Sequence, residues 1–347
     1  MSQSKIRLLL ALLIAMLGVC TSGAFAQSFD AVPTVLAFDK EAKPLATKYK
    51  VAYVVQCVNN PYCEAGVKGM TDAAKKFGFE LKIFDSNFNV GEQLKKVQNA
   101  VTNGFDGYVF TPLAAASGCN MYKNILKPTG KPVVTVGTMM CGDKDYTPGT
   151  AASVIMATQD YYNKFVDKAF DECPGKCVAA AVGGYVGSDL FTIWETALAT
   201  AAKKHPNVKL VVDQPGNFNP QMALRVVQDA LSAHPDINLV ISSWDDMSRG
   251  VVQAVVNANK VPGKDVKIIS AGATKDAVDR VKRGEINMTG IYLPYEEAYY
   301  AGAAMAMALS GNPPNGFIDE AKLPQVIGGP KTVYLTKENA SKFDPKY

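Results

Sequence analysis

The chain has 347 residues, 48% of them hydrophobic, and a formal net charge of +4. Without residues 1–26, 34 basic side chains stand against 32 acidic ones, so the balance is nearly neutral. No clustered basic face is evident, which argues against nucleic acid or an anionic membrane surface as a partner. The remaining 321 residues suffice for two domains of ordinary size. Because no later segment approaches about eighteen consecutive apolar residues, we expect a soluble chain beyond the N-terminus.

Residues 1–26 have the three parts of a secretory signal peptide. Lys5 and Arg7 form a short positive region, an apolar run follows over 8–22, and 24–26 read Ala-Phe-Ala before the expected cleavage point. The apolar run is short for a membrane span. An uncleaved anchor and a lipoprotein modified at Cys20 are the alternatives. The pattern predicts an exported protein, which we place in the periplasm.

Six cysteines follow the signal peptide: Cys57, Cys63, Cys119, Cys141, Cys173 and Cys177. An even number in an oxidising compartment favours disulfides, although six cysteines allow about fifteen pairings and the sequence leaves the connectivity open. Cys173 and Cys177 form the best local pair because Pro-Gly turns the chain between them. Cys57 with Cys63 and Cys119 with Cys141 are further candidates. Irregular spacing and only two histidines argue against zinc, so no metal is expected.

Short apolar runs alternate with helical patterns from residue 49 onward. The predicted strands of the first half are 51–56, 81–84, 108–110 and 133–136, and the predicted helices are 64–77, 93–101 and 114–126. A leader over 27–48 and a loop over 141–150 have no sustained period. Alternation of this kind indicates βαβ units with parallel sheets.

The same alternation begins again after residue 150. The predicted helices are 155–170, 190–203, 220–233, 246–258, 275–283 and 295–309, and the predicted strands are 178–182, 208–212, 237–241, 266–270 and 287–292. Nine or ten strands exceed one domain of this type, and residues 97–110 resemble residues 227–241, so we predict two similar domains. Gly and Pro residues over 311–330 indicate a surface linker before a last strand at 332–335.

No catalytic constellation stands out. His205 and His234 lie in His-Pro turns at predicted helix ends, where a histidine interacts favourably with the helix dipole. The glycines at 183–187 lack the spacing of a dinucleotide loop, so no cofactor is expected. Asp245 and Asp246 begin a predicted helix, where capping explains them better than acid–base chemistry. The sequence therefore predicts a chain that is not an enzyme.

Unusual side chains cluster where the predicted strands end. In open parallel sheets, ligands bind beyond the carboxyl ends of the strands. Both tryptophans of the chain fall in such places, Trp244 directly after a strand and Trp194 in the first turns of a helix. Trp244 follows two serines and precedes two aspartates, which is a poor core environment. A position in a ligand-binding site is therefore favoured over one in the core for Trp244. For Trp194 either position fits.

The chain resembles the class I periplasmic solute-binding proteins of ABC importers, particularly the ribose-binding type. The resemblance rests on residues 54–62, 98–112, 244–250 and 291–294 in combination and covers about residues 49–335. It implies an α/β fold of two Rossmann-like lobes with parallel sheets, joined by a three-segment hinge that closes on a ligand. The implied lobes comprise residues 49–153 plus 293–317 and residues 154–292 plus 324–336.

Several positions depart from the sugar-binding pattern of that family. Gly137-Thr138 replaces an Asp-Arg pair, Thr192 lies near the place of an arginine, and Trp244 replaces an Asn. Gly272 replaces an Asp and Tyr292 a Gln. Asn60, Asp245 and Asn219 remain as side chains that could form hydrogen bonds with the hydroxyls of a sugar. Aromatic and sulfur-containing walls favour a flatter or less polar ligand, and Asp245 among aromatic rings would suit a cation.

Together these observations imply a periplasmic substrate-binding component of an ABC importer that captures a small solute by lobe closure. The expected partners are the small-molecule ligand and a permease in the inner membrane, and the expected state is a monomer. A periplasmic sensor for a chemoreceptor or a sensor kinase is the alternative. The predicted ligand-binding residues are Asn60, Tyr62, Thr138, Met139, Phe191, Thr192, Trp194, Asn219, Trp244, Asp245, Gly272 and Tyr292.

Overall fold

Two α/β lobes, each built on its own sheet, make up the chain in a computed structural model. The structure describes residues 27–28, 42–143, 145–155 and 158–347. The predicted signal peptide and most of the leader lie outside the described residues. Two lobes with mostly parallel sheets confirm the predicted fold class.

The first lobe contains a sheet of seven parallel strands. Its strands in chain order are β1 (Gln27–Ser28), β2 (Lys50–Val55), β3 (Glu80–Asp85), β4 (Gly107–Phe110), β5 (Val133–Gly137), β6 (Ala152–Ile155) and β12 (Gly316–Asp319). They lie side by side in the order β1, β12, β6, β5, β4, β2 and β3. β2 lies between β4 and β3 and is buried from Val51 to Val55, as expected for a strand covered on both faces.

The second lobe contains a sheet of six strands. These are β7 (Cys177–Gly183), β8 (Val208–Pro215), β9 (Leu239–Ser242), β10 (Lys267–Gly272), β11 (Met288–Ile291) and β13 (Tyr334–Leu335). Their order is β13, β11, β10, β9, β7 and β8, and only β13 runs antiparallel to its neighbour. The chain therefore passes between the sheets three times, after β6, after β11 and after β12.

Helices cover both sheets. They are α1 (Pro61–Phe77), α2 (Val90–Thr102), α3 (Ala115–Met121), α4 (Gln159–Asp171), α5 (Asp189–Lys204), α6 (Pro220–Ala233), α7 (Asp245–Asn257), α8 (Lys275–Arg283), α9 (Pro294–Leu309) and α10 (Pro324–Ile327). α9 follows the second lobe in sequence but packs on α1 and the first sheet. Gly69 permits this contact, because a Cβ there would lie 2.0 Å from the carbonyl oxygen of Tyr295.

A strand that was not predicted lies just before the helix predicted at 155–170 and overlaps it only at Ile155. β6 occupies Ala152–Ile155, and α4 begins only at Gln159 with Thr158 as its N-cap. All four strand residues are buried, and the hydroxyls of Ser153 and Thr135 lie 2.7 Å apart across neighbouring strands. A four-residue run that includes Ala and Ser has little apolar signal of its own. The predicted lobe boundary after residue 153 consequently falls inside β6.

The segment 311–330 is not only a surface linker, contrary to the prediction. β12 inserts between β1 and β6, where Ile318 is buried. Leu323 and Val326 are buried as well, around the short helix α10. The sequence here is rich in Gly and Pro, which hid the strand, and its neighbour β6 lies 164 residues away in sequence (Gly316 pairs with Ala152).

Three disulfides link the six cysteines that follow the predicted signal peptide. Cys173 pairs with Cys177, Cys57 with Cys63 and Cys119 with Cys141. Each pair is one that the sequence put forward, although spacing alone could not choose among the connectivities. The Cys57–Cys63 bridge closes the turn between β2 and α1, which belongs to the candidate site.

Candidate functional site

A cavity lies between the lobes, where the carboxyl ends of the two sheets face each other. Its volume is about 430 Å³ when the part that is open to solvent is counted. The first lobe contributes Gln56, Asn60, Tyr62 and Phe88, and the second contributes Tyr162, Leu190, Phe218, Ser243 and Trp244, with Tyr292 at the second crossing. We call this space the inner cavity. Its lining contains no Lys, Arg, Asp or Glu among the described residues.

The turn from β2 into α1 positions the first-lobe side chains. Asn60 is the N-cap of α1 and accepts a hydrogen bond of 2.9 Å from the backbone N–H of Cys63. The disulfide from Cys57 to Cys63 closes the same turn. The hydroxyl of Tyr62 donates to the Oε2 of Glu297 over 2.7 Å, which joins the turn to the first helical turn of α9. Since its proton points to that carboxylate, the Tyr62 oxygen can accept a hydrogen bond from a ligand.

Two tyrosine hydroxyls form a pair on the second-lobe side. The oxygens of Tyr162 on α4 and Tyr292 after β11 lie 2.7 Å apart. Burial raises the pKa of Tyr162 to about 12 and that of Tyr292 well above its ordinary value. Both are therefore neutral near pH 7, so one donates to the other and the pair has one further O–H to offer.

Two polar atoms in the wall have no hydrogen-bond partner within the described part of the chain. They are the Oγ of Ser243 and the Nε1 of Trp244, both buried. Trp244 stands at the tip of β9 as the residue before α7, and its ring contacts the edge of Phe218 at 5.7 Å. A buried donor without a partner costs about 1–3 kcal/mol, which a hydrogen-bonding ligand would recover.

Aromatic rings from both lobes meet at one side of the inner cavity. Phe88 of the first lobe stacks on Tyr185 of the second at 5.7 Å between centroids, with an angle of 17° between the planes. Phe88 also lies 6.1 Å from Phe218. These contacts span the cleft, so they exist only while the lobes are close together.

A second space, here called the outer cavity, adjoins the inner one beyond these rings. Its volume is about 510 Å³ when the part that is open to solvent is counted, and it shares Gln56, Phe88, Leu190 and Phe218 with the inner cavity. The rest of its lining is Val90, Leu113, Thr138, Tyr185, Val186, Gly187 and Ser188. The two spaces therefore adjoin each other along these shared residues.

Five of the twelve predicted ligand-binding residues lie in the lining of this cleft. The inner cavity has Asn60, Tyr62, Trp244 and Tyr292, and the outer cavity has Thr138. All five lie after the carboxyl end of a strand, in the loop that follows it or in the first turn of the next helix, which is the region from which they were predicted.

Asp245, in contrast, does not line either cavity. Its carboxylate is buried and accepts hydrogen bonds from the backbone N–H of Thr274 and the hydroxyl of Thr289, both at 2.9 Å, and from Ser270. These bonds tie the start of α7 to the strands beside it. Because these hydrogen bonds occupy the carboxylate away from both cavities, it is not placed to pair with a cationic ligand. The interpretation that Asp245 would suit a cation therefore loses its support.

The other six predicted residues lie outside the lining of both cavities. Trp194 is fully buried and its ring meets Tyr162 edge-on at 6.1 Å, so it supports the wall from behind. Asn219 is exposed and caps α6 through the N–H of Met222. The remaining four, which neither cavity includes, are Met139, Phe191, Thr192 and Gly272.

Six lining residues of the inner cavity were not predicted: Gln56, Phe88, Tyr162, Leu190, Phe218 and Ser243. A repeated tripeptide could have revealed two of them. Asn-Phe-Asn occurs at 87–89 and again at 217–219, in each case after a strand and before a helix. Its phenylalanines are Phe88 and Phe218, which approach each other from opposite lobes.

Two parallel α/β lobes, crossed three times by the chain and facing each other across a cavity, define a two-lobed solute-binding protein. A family model described as periplasmic binding protein domain matches residues 51–313. The chain belongs to that family.

Curated relatives agree with this assignment. The ribose import binding protein of Escherichia coli K12 is 25% identical over 248 residues, which cover 71% of this chain and 80% of that protein. The D-allose-binding periplasmic protein of the same strain is 27% identical over 248 residues, with coverage of 69% and 77%. These relatives confirm the predicted sugar-type family and the prediction of a binding protein rather than an enzyme.

Solved structures support the fold. A galactofuranose binding protein superimposes with a TM-score of 0.73 at 22% identity, covering 84% of this chain and 96% of that one. The Caulobacter myo-inositol binding protein gives 0.74 at 19% identity, with coverage of 87% and 97%. Among the described residues of our chain, no helix is long and apolar enough to cross a membrane.

Proposed function

We propose that this chain is the periplasmic substrate-binding component of an ABC importer and captures a small, neutral, sugar-like solute between its lobes. The observation that carries the proposal is the inner cavity, which both lobes line with neutral polar groups and aromatic rings at their strand ends. Its uncharged lining disfavours an anion or a cation, since a buried charge needs a partner.

The hydrogen-bonding groups of the inner cavity set the polarity of the ligand. The Tyr62 oxygen can accept, Trp244 can donate, and Ser243 can do both. The tyrosine pair adds one O–H, and the amides of Gln56 and Asn60 lie in the same lining, so the inner cavity can pair several ligand hydroxyls. We infer a ligand with a few hydroxyls and at least one apolar face, which the rings of Trp244 and Phe218 would cover.

A thermal-shift screen tests the proposal. The protein without residues 1–26 is mixed with pentoses, hexoses, furanosides, inositols, aromatic acids and amines, and hits are measured by calorimetry. A neutral polyhydroxy compound should raise the Tm, because binding to the folded state alone stabilises it by mass action. Stabilisation only by amines or carboxylic acids would contradict the neutral cavity.

The two tryptophans provide a matched pair of variants for that measurement. Trp244→Phe removes a donor and part of a cavity wall, so affinity for the best hit should fall at least tenfold. Trp194→Phe makes the same change behind the wall and should lower the Tm while leaving the dissociation constant within twofold. If both variants bind like the wild type, Trp244 is not part of the binding site.

Import rather than sensing is tested in the source bacterium. Deletion of the gene should abolish uptake of the radiolabelled ligand at low concentration, and the gene restored on a plasmid should recover it. Normal uptake combined with lost chemotaxis or lost signalling would favour the sensor instead.

A further inference from the structure

The outer cavity has a different chemistry from the inner one. Two of its polar side chains are committed within the protein: the Thr138 hydroxyl donates to the Pro112 carbonyl, and the Ser188 hydroxyl donates to the Tyr185 carbonyl at 2.7 Å. Ser188 also accepts from the N–H of Phe191. The Tyr185 hydroxyl and Gln56, at the boundary with the inner cavity, are the other polar side chains of the described lining, and the rest of its side chains are apolar or glycine.

Apolar side chains are unusually exposed around this space. Val90 and Tyr185 are 41% exposed and Val186 is 64% exposed. They account for three of the seven large hydrophobic residues that are exposed in the described part of the chain. Single exposed apolar residues are ordinary, but a group of them around a concave space indicates a surface that is covered in use.

The shared wall shows how one molecule could reach both spaces. Phe88, Leu190 and Phe218 line the inner and the outer cavity alike, so a ligand held beside Trp244 lies only one layer of side chains away from the outer cavity. Phe88 and Tyr185 stack on each other between the two cavities, so a flat group could extend the stack only against an outer ring face. Ring faces favour flat partners through offset stacking, which adds about 0.5–1.5 kcal/mol to simple burial.

We propose that the ligand has two parts, a sugar-like head in the inner cavity and a flat apolar substituent in the outer cavity. The chemical class is a glycoside with an aromatic or heteroaromatic aglycone, which includes aryl glycosides and nucleosides. This inference rests on the proposed function, because it assumes that a neutral polyhydroxy head occupies the inner cavity.

Calorimetry with matched ligands tests the inference. One series is D-ribose, methyl β-D-ribofuranoside, uridine and inosine, and the other is D-galactose, its methyl β-pyranoside and its phenyl β-pyranoside. In the series whose head binds, the compound with a flat aglycone should bind at least tenfold more tightly than the methyl glycoside. A preference confined to the ribosides identifies a nucleoside, and one confined to the phenyl galactoside identifies an aryl glycoside.

Two valine substitutions test whether the aglycone occupies the outer cavity. Val186→Asp places a charge beside the outer cavity and should weaken the aglycone compound at least fivefold, with the methyl glycoside changed less than twofold. Val261→Asp is the control, since Val261 is also an exposed loop valine, 51% exposed, and precedes β10 at the opposite end of the sheet. It should change neither affinity.

The possible failures can be told apart. Equal affinities for methyl and aglycone compounds, or a Val186→Asp variant that binds both like the wild type, would overturn the two-part ligand and leave the proposed function standing. If the free sugars, the methyl glycosides and the aglycone compounds all fail to bind, the proposed sugar-like head is wrong and the inference falls with it.

Discussion

Two buried carboxylates near the cleft hold its walls in place. Glu297 accepts from the Tyr62 hydroxyl, and Asp245 accepts from Thr274, Thr289 and Ser270. From the resemblance to sugar-binding proteins we expected the Asp245 side chain to contact the ligand. Here its partners come from the second lobe itself, so its role is to fix the start of α7 and with it the position of Trp244.

Asp245 should give the protein a measurable pH dependence. Burial raises the pKa of this carboxyl from 3.8 to about 6, and the hydrogen bonds to it offset only part of that effect. The folded state therefore holds the proton more tightly than the unfolded state does. The resulting stabilisation is fully present below about pH 4 and is lost as the pH rises through about 6, with a size on the order of 3 kcal/mol.

Asp245→Asn removes this titration while it preserves the shape of the side chain. Urea unfolding of both proteins at pH 4, 5, 6 and 7 should show the wild type losing stability relative to the variant across that range. The other carboxyls, including the neighbouring Asp246, titrate in both proteins and largely cancel in the difference. Parallel curves would mean that Asp245 is ionised in the folded state throughout.

At the scale of elements, the two Asn-Phe-Asn turns are the most distinctive feature of the cleft. Each follows a strand, β3 or β8, and its last asparagine caps the next helix. Phe88 and Phe218 have φ angles of 51° and 53°, and the asparagine before each is also left-handed. A bulky residue in this region costs about 1–3 kcal/mol, so the surrounding structure must hold the rings there. Such strain is consistent with a role in binding.

Substituting glycine for each phenylalanine separates that strain from binding. Phe88→Gly relieves the left-handed backbone, so the Tm should stay close to the wild-type value, while loss of a ring shared by both cavities lowers ligand affinity at least tenfold. Phe218→Gly should lower both, because Phe218 also packs against Trp244 and Gly184. Thermal melts and calorimetry on both variants measure these effects. Unchanged affinity in Phe88→Gly would remove this ring from the site.

The elements also show what the sequence could and could not predict. Strands such as β2 and helices such as α6 were predicted because their apolar pattern is long and local. β6 and β12 were missed because four-residue strands with Ala, Ser or Gly depend on neighbours distant in sequence. The position of Trp244 after a strand was enough to predict that it lines the cavity. Trp194 lies in a helix whose register directs its side chain into the core behind the cavity wall.

For the whole molecule, the position of the cavity predicts that binding and lobe closure are coupled. Its walls come from both lobes, so an open form would separate Phe88 from Tyr185 and Phe218 and expose the ligand. A ligand that contacts both walls binds the closed form more tightly and shifts the population toward it. In the proposed importer, this closed form is what the permease would distinguish from the empty protein.

Small-angle X-ray scattering with the best ligand from the screen tests this coupling. The radius of gyration should fall as ligand is added, and the midpoint of the change should match the dissociation constant from calorimetry, since one equilibrium governs both. In Trp244→Phe the midpoint should move to a higher ligand concentration, by the same factor as the dissociation constant rises. The radius of gyration at saturation should equal that of the wild type. Trp194→Phe should reproduce the wild-type titration. A radius that stays constant while calorimetry reports saturation would show that the ligand enters without closing the lobes.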